Sequence, residues 1–235
     1  MDAAKISQIK GEGELRFAKA SLTLIGYFAV YVILCMVPFG AFTTLGMLPI
    51  PINPFLGAIL RISGQCMVSL FLTGPMIVGL KKGMLDLRSN DDIRGCLFYA
   101  FDGTRYMKIV RGLVLYTLFG ALLSVANSID DLLPNANLIA PALFTSLGIA
   151  FVQMFVLTFV QYIVAEDHDI SPIEACTKSM KLMNGHWKDL FELLVRYLRE
   201  IIICIVTLGL GIFYFMPKFQ CGLTCFYEHI KEADT

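Results

Sequence analysis

The sequence predicts an all-α fold, a polytopic helical bundle embedded in a membrane. Two observations carry this reading. Hydrophobic residues make up 57% of the 235 residues and charged residues only 16%, against about 45–50% and about 25% in a soluble domain, and mean hydropathy is +0.69. The charges are also segregated. No Asp, Glu, Lys or Arg occurs in residues 20–60, 62–80, 112–129, 132–165 or 201–217. A helix needs about 20 apolar residues to cross a bilayer core, and several of these runs reach that length. They lack the two-residue alternation of a membrane barrel, which leaves helices as the structure that satisfies its own backbone in lipid.

Taken in order, six spans are expected at about 21–41, 60–80, 109–129, 138–164, 188–207 and 209–228, in one integral membrane domain covering 1–235. They group as three hairpins with short amphipathic interfacial helices between them. The first turns at "TTLGMLPIPINP", the second at "SIDDLLPNAN" and the third tightly at "TLGLG". The first apolar run is too long for a cleavable signal and is expected to act as its own insertion signal.

Orientation follows from Lys and Arg. Lys5, Lys10, Arg16 and Lys19 precede the first span, and Lys81, Lys82, Arg88, Arg94, Arg105, Lys108 and Arg111 lie between the second and third. Lys178, Lys181 and Lys188 lie between the fourth and fifth, and Lys231 follows the sixth. Residues 42–54 and 130–137 contain neither Lys nor Arg. The positive-inside rule therefore predicts a multi-pass protein of the cytoplasmic membrane with both termini in the cytoplasm. Arg61, near the outer end of the second span, is the exception, read as an anchor snorkelling to phosphate. An alternative makes 186–200 a surface helix and 201–217 a single crossing, because Arg196, Arg199 and Glu200 interrupt the fifth span.

The stretch "SPIEACTKSMKLMNGHWKDLFELL" bends the chain into that span. Ser171, Pro172 and Glu174 form a capping box with proline at the first helical position. Ile173, Cys176, Met180 and Met183 are expected to form the apolar stripe, with Glu174, Lys178 and Lys181 opposite and Glu174 paired to Lys178. Asn184-Gly185 supplies a left-handed stop. Lys178, Lys181, His186 and Trp187 are candidate headgroup contacts, indole rings favouring the headgroup boundary. "DDIRGCLFYAFDGTRYMKIVRG", with Asp91 as cap, Ile93, Leu97 and Phe101 as stripe and Asp102-Gly103 as stop, has a similar plan. "KISQIKGEGELRFAKA" is a poorer third copy. Together these suggest a triplicated unit.

Little points to catalysis. Net charge is zero, so no bulk field draws nucleic acid. No HExxH, phosphate-cradling glycine loop or GxSxG is present, and no cofactor or metal is expected. The seven scattered cysteines are read as reduced packing residues, although Cys221 and Cys225 are spaced for a soft metal. His186 has Gly185, Trp187 and Lys188 as its sequence neighbours, with no orienting carboxylate among them. His168, in "EDHD", is read as part of a solvated turn. Charged residues at membrane depth carry more weight. Glu200 and Lys218 flank the tight turn at similar heights, so Arg196, Arg199, Glu200 and Lys218 form a candidate intramembrane polar site, or a neutralised pair fixing the hairpin. Gln153 and Gln161 are read as interhelical hydrogen bonders.

Two functions fit. The first is a non-enzymatic module for transport, sensing or membrane support, with membrane lipids, a small amphiphile or a membrane-protein partner as ligands. The alternative is a lipid-modifying enzyme at the inner leaflet. "LTGPMIVGL", "FYAFDG", "SPIEACTKSMKLMNGHWKDLF", "TLGLG" and "MPKFQCGLTCFYEHI" together resemble a bacterial family of uncharacterised integral membrane proteins. That family is similar to the membrane domain attached to some glycerophosphoryl diester phosphodiesterases. The resemblance implies a fold plan and no activity; the metal-binding catalytic barrel of those enzymes has no counterpart. Arg196, Arg199 and Glu200 stand where many relatives carry apolar or small residues.

Overall fold

The computed structural model describes residues 3–45, 54–89, 93, 95–127 and 139–234. The expected turn at 128–137, the Pro-rich part of the first loop, Asp91 and Arg94 lie outside them. The fold is all-α: among the described residues there are ten α-helices and no strand. They are α1 (Ala3–Leu45), α2 (Pro54–Val68), α3 (Gly74–Asp86), α4 (Tyr106–Asn127), α5 (Ile139–Phe151), α6 (Val160–Glu166), α7 (Pro172–Met183), α8 (Trp187–Arg196), α9 (Leu198–Val206) and α10 (Ile212–Asp234). Among the described residues, three segments are long and apolar enough to cross a membrane: Ala3–Leu34, Ile59–Asp86 and Tyr106–Val125.

Two π-helical segments interrupt the long helices. Ser69–Thr73 joins α2 to α3, and Val152–Val156 follows α5. The first has a local cause in Pro75. Proline lacks the N–H that would bond the carbonyl four residues earlier. The freed carbonyl, on Phe71, accepts instead from the Tyr106 hydroxyl at 2.8 Å.

The core occupies one end of the bundle. It is assembled from parts of 6–24, 76–113, 157–197 and 215–230. Tyr162 stacks on Tyr227 at 5.1 Å, and Phe159 and Phe226 complete that aromatic cluster. The ion pairs gather at the same end: Arg16–Glu228, Arg88–Glu232 at 2.6 Å, Lys108–Asp169 at 2.6 Å and Lys231–Glu166 at 2.6 Å. Elsewhere, residues 25–34, 56–73, 114–125, 144–156 and 201–214 are nearly unburied, with Gly64 and Ser146 the exceptions among described side chains. Leu22, Ile33, Met67, Phe144 and Leu208 are all more than half exposed. Contiguous apolar surface on this scale is foreign to a soluble monomer.

Three expected segments take a form of their own. "KISQIKGEGELRFAKA" is a helix set off from the rest of α1 by the non-helical Ala20 (φ −130°, ψ 26°), but it lies in the core and not free on the surface, with Ile6, Ile9 and Phe17 buried. It packs on α10 so closely that a Cβ on Gly13 would lie 2.5 Å from the Gly222 Cα. "DDIRGCLFYAFDG" makes a 3-10 turn, Cys96–Phe101, whose left-handed residue is Gly95 at its start. That turn lies on α3, where a Cβ on Gly79 would meet the Cys96 carbonyl. The second unit, a 3-10 turn, thus differs from the helices of the other two. The segment expected as a fifth span is divided at Tyr197 into α8 and α9.

Candidate functional site

The elbow is built as its residues dictate. The Ser171 hydroxyl accepts from the Glu174 amide at 3.2 Å, Pro172 opens α7, and Lys178 pairs with Glu174 at 3.2 Å. Gly185 takes φ +86°. The buried face is Ala175, Cys176, Ser179 and Met183. Ile173 and Met180, expected in the stripe, are exposed at 73% and 47%, because the packed face turns toward Ser179. Trp187 stacks on Phe151 at 6.0 Å. His186 Nδ1 lies 2.8 Å from Asp189 Oδ2, so a carboxylate does orient this ring. The partner was hidden one helical turn ahead in sequence. Lys181 is exposed and Arg61 half-buried.

The candidate polar residues form a larger cluster than their spacing suggested. Lys218 Nζ lies 3.4 Å from Glu200 Oε1 and 3.0 Å from Glu14. Lys10 reaches Glu200 at 3.5 Å and the Arg196 carbonyl at 2.7 Å, and sits over the Tyr197 ring. Arg199 approaches Glu200 at 3.5 Å from the outside. Arg196 turns away, bonding Glu192 and the Ala3 carbonyl. Lys10 and Glu14 escaped the sequence reading because they lie far away in sequence, on a segment read as a separate surface helix. Their spacing of four, on one face, was the available signal. Two acids and two lysines make a nearly neutral lock between α1, α9 and α10.

The "EDHD" turn is used structurally. His168 bonds the Val164 carbonyl and the Tyr99 hydroxyl, both at 2.9 Å, while Glu166 and Asp169 pair with Lys231 and Lys108. Among the described residues, no three His, Cys, Asp or Glu are placed to hold a metal ion.

A cavity of about 430 Å³ lies between α8, α9 and α10 on one side and α4, the second π segment and α6 on the other. Phe155, Leu190, Leu194, Phe215 and Phe219 line it, with Lys81, Gln153 and Gln161 among the polar groups. A smaller, more polar cavity beside the first π segment shares Tyr116, Gln153 and Gln161 with it. Both π segments therefore border the cavities, as such irregularities often do at functional sites. Lys81 is 5% exposed. It bonds the Tyr162 hydroxyl at 2.9 Å and the Gln220 side-chain oxygen. No sequence pattern marked Lys81, since Lys81-Lys82 reads as an ordinary basic flank.

A family profile described as "Protein of unknown function (DUF975)" matches residues 113–234. The chain belongs to the DUF975 family. The matched stretch runs from α4 to the end of α10 and holds Gln153, Gln161, the elbow, Glu200 and Lys218. Lys81, Lys10 and Glu14 lie before it. No curated protein and no solved structure matches the chain.

Proposed function

We propose that this DUF975 protein is a non-enzymatic membrane module that takes up a small amphiphile within its helical bundle, for transport or sensing. The observation that carries the reading is the cavity of about 430 Å³, within the range of small-molecule sites, about 300–1,000 Å³. Its wall is mostly aromatic and aliphatic, with polar groups from Lys81, Gln153, Gln161 and Gln220 among them. The exposed apolar belt and the distribution of Lys and Arg support a multi-pass protein of the cytoplasmic membrane with both termini inside. Contacts of Glu12 and Arg16 with His229 and Glu228 keep the two terminal segments at one end of the bundle.

The test is native mass spectrometry of protein extracted in lipid nanodiscs. A bound amphiphile should co-purify, and Leu194→Trp, which fills the cavity, should remove it while leaving abundance unchanged. Protein that carries nothing, and that no added single-chain amphiphile stabilises, would overturn the reading.

One observation favours an enzyme of the inner leaflet: the His186–Asp189 pair, which has the orientation of a general base and its carboxylate. The pair also closes the first turn of α8, with Asp189 near the positive end of the helix, and that structural role accounts for it.

A further inference from the structure

We infer that the cavity holds an oxyanion, the phosphate or carboxylate head of a single-chain amphiphile, with Lys81 as its counter-ion. The inference rests on the cavity reading above. Two observations carry it beyond that reading. Lys81 makes no ion pair among the described residues; its partners are the neutral Tyr162 and Gln220, with the Tyr162 ring 4.3 Å from its Nζ. Other buried cations of this bundle have carboxylates: Arg16 has Glu228, and Lys218 has Glu14 and Glu200. A buried ammonium without a counter-charge is costly, and an anionic ligand removes that cost.

The second observation is Gln161. It is 8% exposed and borders both cavities. Its side-chain amide can donate to an acceptor held in that space. An ammonium and an amide donor facing one space suit an oxyanion. The aromatic and aliphatic wall suits the chain attached to it.

The probes are dodecyl phosphate, dodecanoate, dodecyltrimethylammonium and dodecanol, titrated into purified protein and read as Kd and as a shift in Tm. The two anions should bind at least about tenfold tighter than the others, since one lost charge-assisted contact is worth about that factor. Lys81→Met should abolish the preference. If dodecanol binds as well as the anions and Lys81→Met changes nothing, the oxyanion is wrong and the cavity reading survives. If none binds, both fall. Should Lys81→Met fail to fold, Gln161→Leu decides: severalfold loss for the anions with dodecanol unchanged supports the site, and equal affinities overturn it. The stronger of the two anions identifies the headgroup.

A separate observation concerns α9 and the start of α10. The geometry points to a hairpin that enters only the inner leaflet and returns. Phe213 meets Phe28 at 6.2 Å, and Tyr214 meets Phe17 at 5.1 Å. Beyond Phe28, α1 continues to Leu45, about 25 Å at about 1.5 Å per residue. Beyond Phe213, the helix has only Ile212 left before the turn at Leu208 and Gly209, both with positive φ. The tip is apolar and bare, with Val206, Leu208 and Leu210 exposed at 75%, 94% and 75%. A bilayer core of about 30 Å is therefore not crossed. Its partner is the acyl chains of one leaflet, and the Glu200–Lys218 cluster sits at the inner boundary, away from the midplane. Leu208→Cys in otherwise cysteine-free protein reconstituted in liposomes should report a depth inside the inner leaflet when nitroxide-labelled, and its free thiol, unlabelled, should resist impermeant thiol reagents from outside. Labelling from outside with an outer-interface depth would restore two full spans.

Discussion

Lys218 Nζ lies 3.4 Å from Glu200 Oε1 across the α9–α10 turn, and the same lysine lies 3.0 Å from Glu14 on α1. The pair is thus one edge of a four-charge lock that includes Lys10. Glu200 is 5% exposed and faces both lysines. Glu200→Gln is expected to cost about 3 kcal/mol, the scale for breaking a buried pair by removing one partner. Lys218→Met should cost less, because Lys10 remains beside Glu200. The double variant should recover part of the loss, with a coupling of about 1–3 kcal/mol. Unfolding in detergent measures all three; strict additivity would show that the two side chains do not interact.

The elbow should be replaceable in chemistry and rigid in geometry. Gly185 sits at φ +86° with nothing within 4 Å of a Cβ placed there, so a side chain meets backbone strain and no clash. Gly185→Val is expected to lose about 1–3 kcal/mol and to lower membrane abundance. His186→Gln keeps a polar partner for Asp189 and should leave abundance and phenotype close to wild type. A well-inserted but inactive His186→Gln protein would instead favour the enzyme.

Reversing charge on α7 tests orientation. Lys178→Glu with Lys181→Glu removes two positive charges from a loop expected in the cytoplasm and breaks the Glu174–Lys178 pair. Insertion of the following hairpin should fall, read as lower membrane abundance of the protein. Undisturbed insertion would remove the charge bias as the cause of orientation here.

The first π segment depends on a distant hydroxyl. Tyr106→Phe deletes the bond to the Phe71 carbonyl and leaves that acceptor unpaired beside Pro75. The expected cost is about 1–3 kcal/mol, seen as a lower unfolding midpoint. Pro75→Ala with Tyr106→Phe should be milder, since the helix can then bond that carbonyl itself.

The end of α10 should respond to acid. The Arg88 guanidinium holds the Glu232 carboxyl below its ordinary value. Its stabilising effect is therefore present above the ordinary glutamate pKa, about 4.3, and is lost as pH falls through the depressed folded value. Protection of the amides at the end of α10 against exchange should fall over that interval, and Arg88→Gln should erase the step.

The sequence by itself determined the all-α class, the apolar runs, the capped elbow and the tight Leu208–Gly209 turn. Each of these rests on local chemistry: composition, capping residues, and glycines at positive φ. Even the Glu200–Lys218 contact was legible, because both residues flank one short turn. Only the tertiary structure decided what crosses sequence distance. Lys10 and Glu14 join that pair because α1 lies on α10, with Gly13 and Gly222 allowing the approach. Lys81 is drawn beneath Tyr162 and Gln220, although its sequence context is that of a solvated basic flank. The face α7 buries is set by what packs on it, so Ile173 and Met180, apolar by type, remain outside. Hydropathy records preference for lipid or core alike, and only packing separates the two.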